Sequence, residues 1–128
     1  MLGHIKYERE TEYFYFFLFR KEFWPFQVVA DTCGQIIKDD RRPEQLPDTQ
    51  KGGLFNVLNF NLAFQMSESQ FNPPALQIEP DQVEPIVKFF IQQGGYQHSG
   101  TELVGSYCAD KSDLEFCSHK MPVLRIVQ

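Results

Sequence analysis

The sequence predicts an α+β domain: an antiparallel sheet of about six to eight strands with one amphipathic helix, near residues 81–93, packed on one face. Three observations lead there. Segments of strand character fill the first part of the chain and return at its end. A single stretch, Asp81–Gln93, carries apolar residues at helical spacing. The strands come in runs instead of alternating with helices, which separates α+β from α/β order. At 128 residues, 42% apolar and 15% aromatic, the chain reads as a single domain, residues 1–128, able to close one core.

Each element has its own warrant. Gly3–Arg9 alternates, with Ile5 and Tyr7 opposite His4, Lys6 and Glu8, as a strand with one wet face does. Thr11–Arg20 has high β propensity and is apolar on both faces. Such a strand is either central with both faces covered or turned on one face toward a partner chain, so a homodimer stays open. Phe23–Lys38 can be read as a helix with Pro25 at its first position, or as a hairpin. The hairpin is favoured, with strands Phe26–Ala30 and Gln35–Lys38 around Asp31-Thr32-Cys33-Gly34, because Gly34 would cost a helix about 1 kcal/mol.

Asp39–Gly53 is a long loop with two prolines and two glycines. Leu54–Met66 reads as a strand, placing Leu58, Phe60, Leu62, Phe64 and Met66 on one face. After Pro73-Pro74, Ala75–Ile78 is a short extended piece leading into the helix. That helix presents Val83, Ile86, Val87, Phe90 and Ile91 together, with Asp81 and Glu84 spaced as a capping box and Gly94-Gly95 as its stop. Pro85 is tolerable only in the first turn. Thr101–Cys108, Leu114–Ser118 and Pro122–Val127 follow as strands.

Composition narrows the functional classes. The net charge is −5, with 8 basic and 9 acidic residues before position 65 and 4 and 8 after it. A negative field repels phosphate backbones, so nucleic acid is not the expected partner. The basic residues near Phe23 and Trp24 are interleaved with Glu22, Asp39, Asp40, Glu44 and Asp48, as on an ordinary solvated surface. The longest apolar run, Tyr13–Phe19, is seven residues, where a membrane span needs about 18 to 20. The N-terminus lacks a secretory pattern. With three cysteines and no dense framework, the expected setting is a reducing cytoplasm with free thiols.

No chemical motif stands out. His98, Cys108, Cys117 and His119 are suitable zinc donors, yet their spacing matches none of the usual short ligand loops. Cys108 and Cys117 could face each other across a hairpin, which spacing alone does not establish. Cys33 would need a neighbouring histidine to act as a nucleophile, and the positions of His4, His98 and His119 select none. No nucleophile elbow and no phosphate-cradling glycine loop is present. The expectation is therefore no cofactor, no metal and no catalytic set.

What remains is a small binding protein acting on another protein, of inhibitor or immunity type. The expected contact residues are Asp39, Asp40, Glu44 and Asp48 on the long loop, with Trp24 nearby, facing a basic partner. Arg41 and Arg42 cancel part of that charge, so Glu102, Asp110, Asp113 and Glu115 form the fallback surface. The alternative, from another class, is a small-molecule binder or thiol-dependent enzyme using a pocket between helix and sheet.

Overall fold

The computed structural model describes residues 3–20, 23–40, 54, 57, 58, 75–105 and 123–127, with backbone alone at 19, 20, 23 and 24. Four strands open the chain: β1 (Gly3–Glu8), β2 (Tyr13–Arg20), β3 (Phe23–Ala30) and β4 (Ile36–Asp39). β5 (Ala75–Ile78) precedes a 3-10 turn at Pro80–Gln82 and the helix α1 (Val83–Gly94). The short hairpin β6 (Gln97–Ser99) and β7 (Glu102–Val104) follows, and β8 (Val123–Ile126) closes the described chain. All eight strands join one sheet in the order β4-β3-β2-β1-β5-β8-β7-β6.

The α+β class holds, but the sheet is mixed, where the sequence predicts antiparallel pairing throughout. β1 pairs β5 in parallel and β5 pairs β8 in parallel, so three central strands run one way. The outer pairs β1–β2, β2–β3, β3–β4, β7–β8 and β6–β7 are antiparallel. Parallel neighbours require a crossover between them. The stretch from β5 to β8 supplies one, through α1 and the β6–β7 hairpin.

Turn chemistry sets the hairpins. Between β3 and β4, the Gly34 N–H donates to the Asp31 carbonyl (3.0 Å) and Gly34 lies in the left-handed region at φ 82. The Asp31 carboxylate Oδ1 accepts from the N–H groups of Cys33 and Gln35, both at 2.9 Å. This is a type I turn closed by a glycine bulge, a standard three-residue hairpin loop. The hairpin reading of Phe23–Lys38 is thus the observed one. The β1–β2 turn is less well served: Glu12 donates its N–H to the Glu8 carbonyl (2.8 Å) with φ 60. A left-handed non-glycine residue costs about 1–2 kcal/mol. Glu12→Gly should therefore raise stability by about 0.5 kcal/mol in urea melts, whereas Gly34→Ala should lower it by about 1 kcal/mol or more. Equal and like-signed changes would contradict these two turn conformations.

One face of the sheet is the core. Val28, Phe16, Ile5 and Ile78 stand in one row across β3-β2-β1-β5, and Leu76, Leu124 and Leu103 in another across β5-β8-β7. All seven are 0–1% exposed. α1 covers them through Ile86, Phe89 and Phe90, with Val83 and Val87 half-buried beside them. The sequence-based helix face needs correcting here: Ile91 is 44% exposed, and Phe89 takes its place inward at 4%. The physical reason is a partner, since Phe89 stacks on Phe14 with ring centroids 4.3 Å apart.

The helix start also differs from the predicted capping box. Pro80 opens the 3-10 turn, α1 begins at Val83, and neither Glu79 nor Gln82 caps through its side chain. Pro85 consequently falls at the third helical position, inside the first turn, where its missing N–H has no helical partner to lose. Gly95 ends the helix in the left-handed region at φ 67, and the Tyr96 N–H donates to the Phe90 carbonyl at 3.2 Å. Burial pushes the Tyr96 phenol well above the ordinary tyrosine value. Gly105 lets the backbone pass that ring, since a Cβ there would lie 2.9 Å from it.

The predicted strand at Leu54–Met66 is also corrected. Leu54, Val57 and Leu58 are helical and buried. Their i, i+3, i+4 spacing puts them on one helical face, and they belong to the same core cluster as Ile86, Phe89 and Phe90. Phe60, Leu62, Phe64 and Met66 lie outside the described residues, as does the predicted strand Leu114–Ser118. The hairpin β6–β7, closed by Gly100 (φ 61) and Thr101, begins with a strand the sequence reading does not mark. The other sheet face carries His4 stacked on Phe17 (4.7 Å) and the half-buried Tyr13 and Tyr15. Among the described residues, no helix is long and apolar enough to cross a membrane.

Candidate functional site

A groove of about 520 Å³ opens where one end of the sheet meets α1. Three elements build it. Tyr7, Phe14 and Ala30 are register neighbours across β1, β2 and β3, and the first two supply the floor. Arg9 and Thr32 reach it from the two hairpin turns at that end. From α1 come Glu84, Pro85, Lys88, Phe89 and Gln92, residues that recur every three or four positions and so share one side of the helix. The Gln82 side-chain carbonyl, just before α1, accepts the Tyr7 N–H and ties the helix to β1 at the groove.

The floor is aromatic and closely packed. Tyr7 and Phe14 lie 4.9 Å apart between ring centroids and Phe14 and Phe89 4.3 Å, forming a continuous three-ring contact. Phe14 and Phe89 are buried at 3% and 4% exposure, and Tyr7 is half-buried. Around the floor, Arg9, Thr32, Glu84, Lys88 and Gln92 are exposed. Among the described residues the rim therefore carries two cations and one anion. Among the described residues the ion pairs are Lys38–Asp40 and Arg125–Glu102, both away from this rim.

The residues singled out from sequence fall elsewhere. Asp39 ends β4, half-buried, and Asp40 follows it exposed, donating its N–H to the Gln27 carbonyl at 3.0 Å. The Asp40 carboxylate lies 3.7 Å from the Lys38 ammonium, so its charge is partly neutralised locally. Trp24 is placed on β3 by its backbone. Glu44 and Asp48 lie outside the described residues. Of the fallback acids, Glu102 pairs with Arg125 at 3.1 Å, and Asp110, Asp113 and Glu115 lie outside the described residues.

The candidate thiol and imidazole groups are dispersed. Cys33 is exposed on the β3–β4 turn, next to Thr32 but not in the groove wall. His4 lies on the sheet face away from α1. His98 is on β6, the opposite edge strand, where its Nε2–H bonds the Gly100 carbonyl at 2.9 Å. Seven strand steps separate β4 from β6, about 34 Å along the sheet at about 4.8 Å each. Cys33 and His98 thus do not assemble. Cys108, Cys117 and His119, the remaining zinc or disulfide candidates, lie outside the described residues.

Sequence reasoning passes over Arg9, Thr32, Lys88 and the Tyr7–Phe14–Phe89 floor. A local signal exists only on the helix, where the polar stripe Glu84, Lys88, Gln92 runs beside Phe89. Comparison with protein-family models, curated proteins and solved structures finds no match.

Proposed function

We propose that the protein is a binding domain that holds a small ligand in the groove between α1 and the end of the sheet. The observation that carries this reading is the groove itself, with a packed aromatic floor under a polar rim at a volume of about 520 Å³. Small-molecule sites combine an apolar lining with a few convergent polar groups at volumes of about 300–1,000 Å³. Among the described residues that line the groove there is no cysteine or histidine, and the reading taken forward is binding, not thiol chemistry. A fragment screen followed through backbone amide resonances should give shifts clustered at residues 7–9, 32 and 84–92. Thr32→Trp, which fills the mouth from an exposed turn, should abolish them while changing stability by no more than about 0.5 kcal/mol. Fragments that map elsewhere, or that ignore the Trp, remove the groove from the function.

A second reading, contact with a basic partner protein through Asp39, Asp40, Glu44 and Asp48 with Trp24 nearby, has one observation in its favour. Asp39 ends β4, an edge strand, and the exposed Asp40 follows it directly. Against it stands the Lys38–Asp40 pair. With a partner in hand, converting the four acids to amides should slow association, more at low salt than at high. Unchanged association at low salt excludes the loop.

A further inference from the structure

We propose that the groove selects organic monoanions: compact ligands with an apolar or aromatic body and a single carboxylate. The proposal rests on the groove being the binding site and assigns its chemistry. The floor is three contacting rings, Tyr7, Phe14 and Phe89. It offers apolar surface and ring edges to a ligand body and no buried charge for that body to satisfy. Any charge recognition must then come from the rim, where, among the described lining residues, Arg9 and Lys88 stand with one acid, Glu84.

That local excess of positive charge is set in a chain whose net charge is −5. It opposes the overall sign of the protein. Arg9 stands at the β1–β2 turn and Lys88 on the second turn of α1, so the two cations approach the floor from different walls. A guanidinium offers paired N–H donors that match a carboxylate edge, and an ammonium supplies a second point charge. Glu84 works in the opposite sense. It makes a second negative charge on the ligand unfavourable, and it lies one helical turn from Lys88 along α1. Phosphate monoesters and dicarboxylates are therefore poor fits. Amines are poor fits as well, with two cations against one acid.

Matched probes test this on the intact chain: 3-phenylpropionate, its neutral amide, 3-phenylpropylamine, and inorganic phosphate, each titrated against backbone amide resonances. The acid should bind in the groove at least about tenfold more tightly than the amide or the amine, the scale of one charge-assisted contact, and phosphate should not bind there. Arg9→Gln and Lys88→Gln should each weaken the acid about tenfold, and Glu84→Gln should strengthen it. All three residues are exposed, and unchanged resonances elsewhere verify that each variant folds. Equal binding of acid and amide, or no loss in both cation variants, overturns the monoanion assignment while fragment binding in the groove still stands. If the acid fails to bind although neutral fragments occupy the groove, the assignment is likewise overturned. If acid and fragments both map outside the groove, the binding-site reading itself falls with it.

Discussion

Phe90→Ala should lower the free energy of unfolding by about 3–5 kcal/mol, a large part of the total for a chain of this size. Phe90 is fully buried and, among the described residues, meets three aromatic rings edge-on: Tyr96 at 5.0 Å, Phe89 at 5.4 Å and Phe16 at 6.1 Å between centroids. Phe16 lies on β2 and Tyr96 follows α1, so one side chain holds the helix to the sheet and the helix end to the segment beyond it. Truncation removes the transfer energy of the ring and leaves a cavity that rigid aromatic neighbours fill poorly. Ile91→Ala, one residue on, is the internal control. Its side chain is 44% exposed, and the loss should stay below about 1 kcal/mol. Urea melts of both variants decide the matter. Comparable losses at 90 and 91 would restore the helix face predicted from periodicity and displace the one described here.

That contrast marks what the sequence could and could not carry. Period alone places apolar residues on a stripe, but Phe89 and Ile91 flank Phe90 symmetrically, each one 100° step away. Which flank turns inward depends on what waits on the sheet, and Phe14 waits on one side. The same limit explains Leu54, Val57 and Leu58. Their spacing suits a helix, but the alternation from Leu58 to Met66 points to a strand, and a short apolar run does not separate the two. Turn chemistry, in contrast, is local. Asp31 and Gly34 specify the β3–β4 hairpin by themselves, through an acceptor for two amides and a left-handed residue. Gly100-Thr101 carries the same kind of signal for β6–β7, whose strands are three residues each and too short to show alternation, β6 being exposed throughout.

The candidate site was less legible than the fold, for a related reason. Its walls come from Tyr7 and Arg9, Phe14, Thr32 and the stretch Glu84–Gln92, so no spacing along the chain brings them together. Register does. Pairing Tyr7 with Phe14 and Phe14 with Ala30 aligns the two hairpin turns at one end of the sheet, and the Gln82–Tyr7 bond sets the helix over that end. The acids of the long loop stand out in the sequence because they lie close together along the chain. Closeness along the chain signals a loop, whereas convergence from separate elements is the mark of a site, and only the folded chain displays it.

Strand direction is the remaining feature that local pattern does not encode, and it supports the second large expectation. Gln77→Pro should destabilise the protein by about 3 kcal/mol or more, or prevent folding. Read from sequence, Ala75–Ile78 is only an extended lead into the helix, and a proline in such a piece would be nearly harmless. In the structure β5 is central, flanked by β1 and β8 along its length, with Gln77 paired to His4 on one side and Arg125 on the other. With neighbours on both sides, the Gln77 N–H faces a strand and not solvent, so proline removes a ladder hydrogen bond and thrusts its ring into the sheet. Gln77→Val separates backbone from side chain: Gln77 lies on the face away from the core, half-buried, and valine suits a strand, so the change should stay within about 0.5 kcal/mol. Both variants can be compared by urea unfolding, and by circular dichroism if the proline variant does not fold. A proline variant within about 1 kcal/mol of the parent would place Ala75–Ile78 at an edge and dissolve the parallel centre of the sheet. Loss in both variants would instead assign the cost to the glutamine side chain.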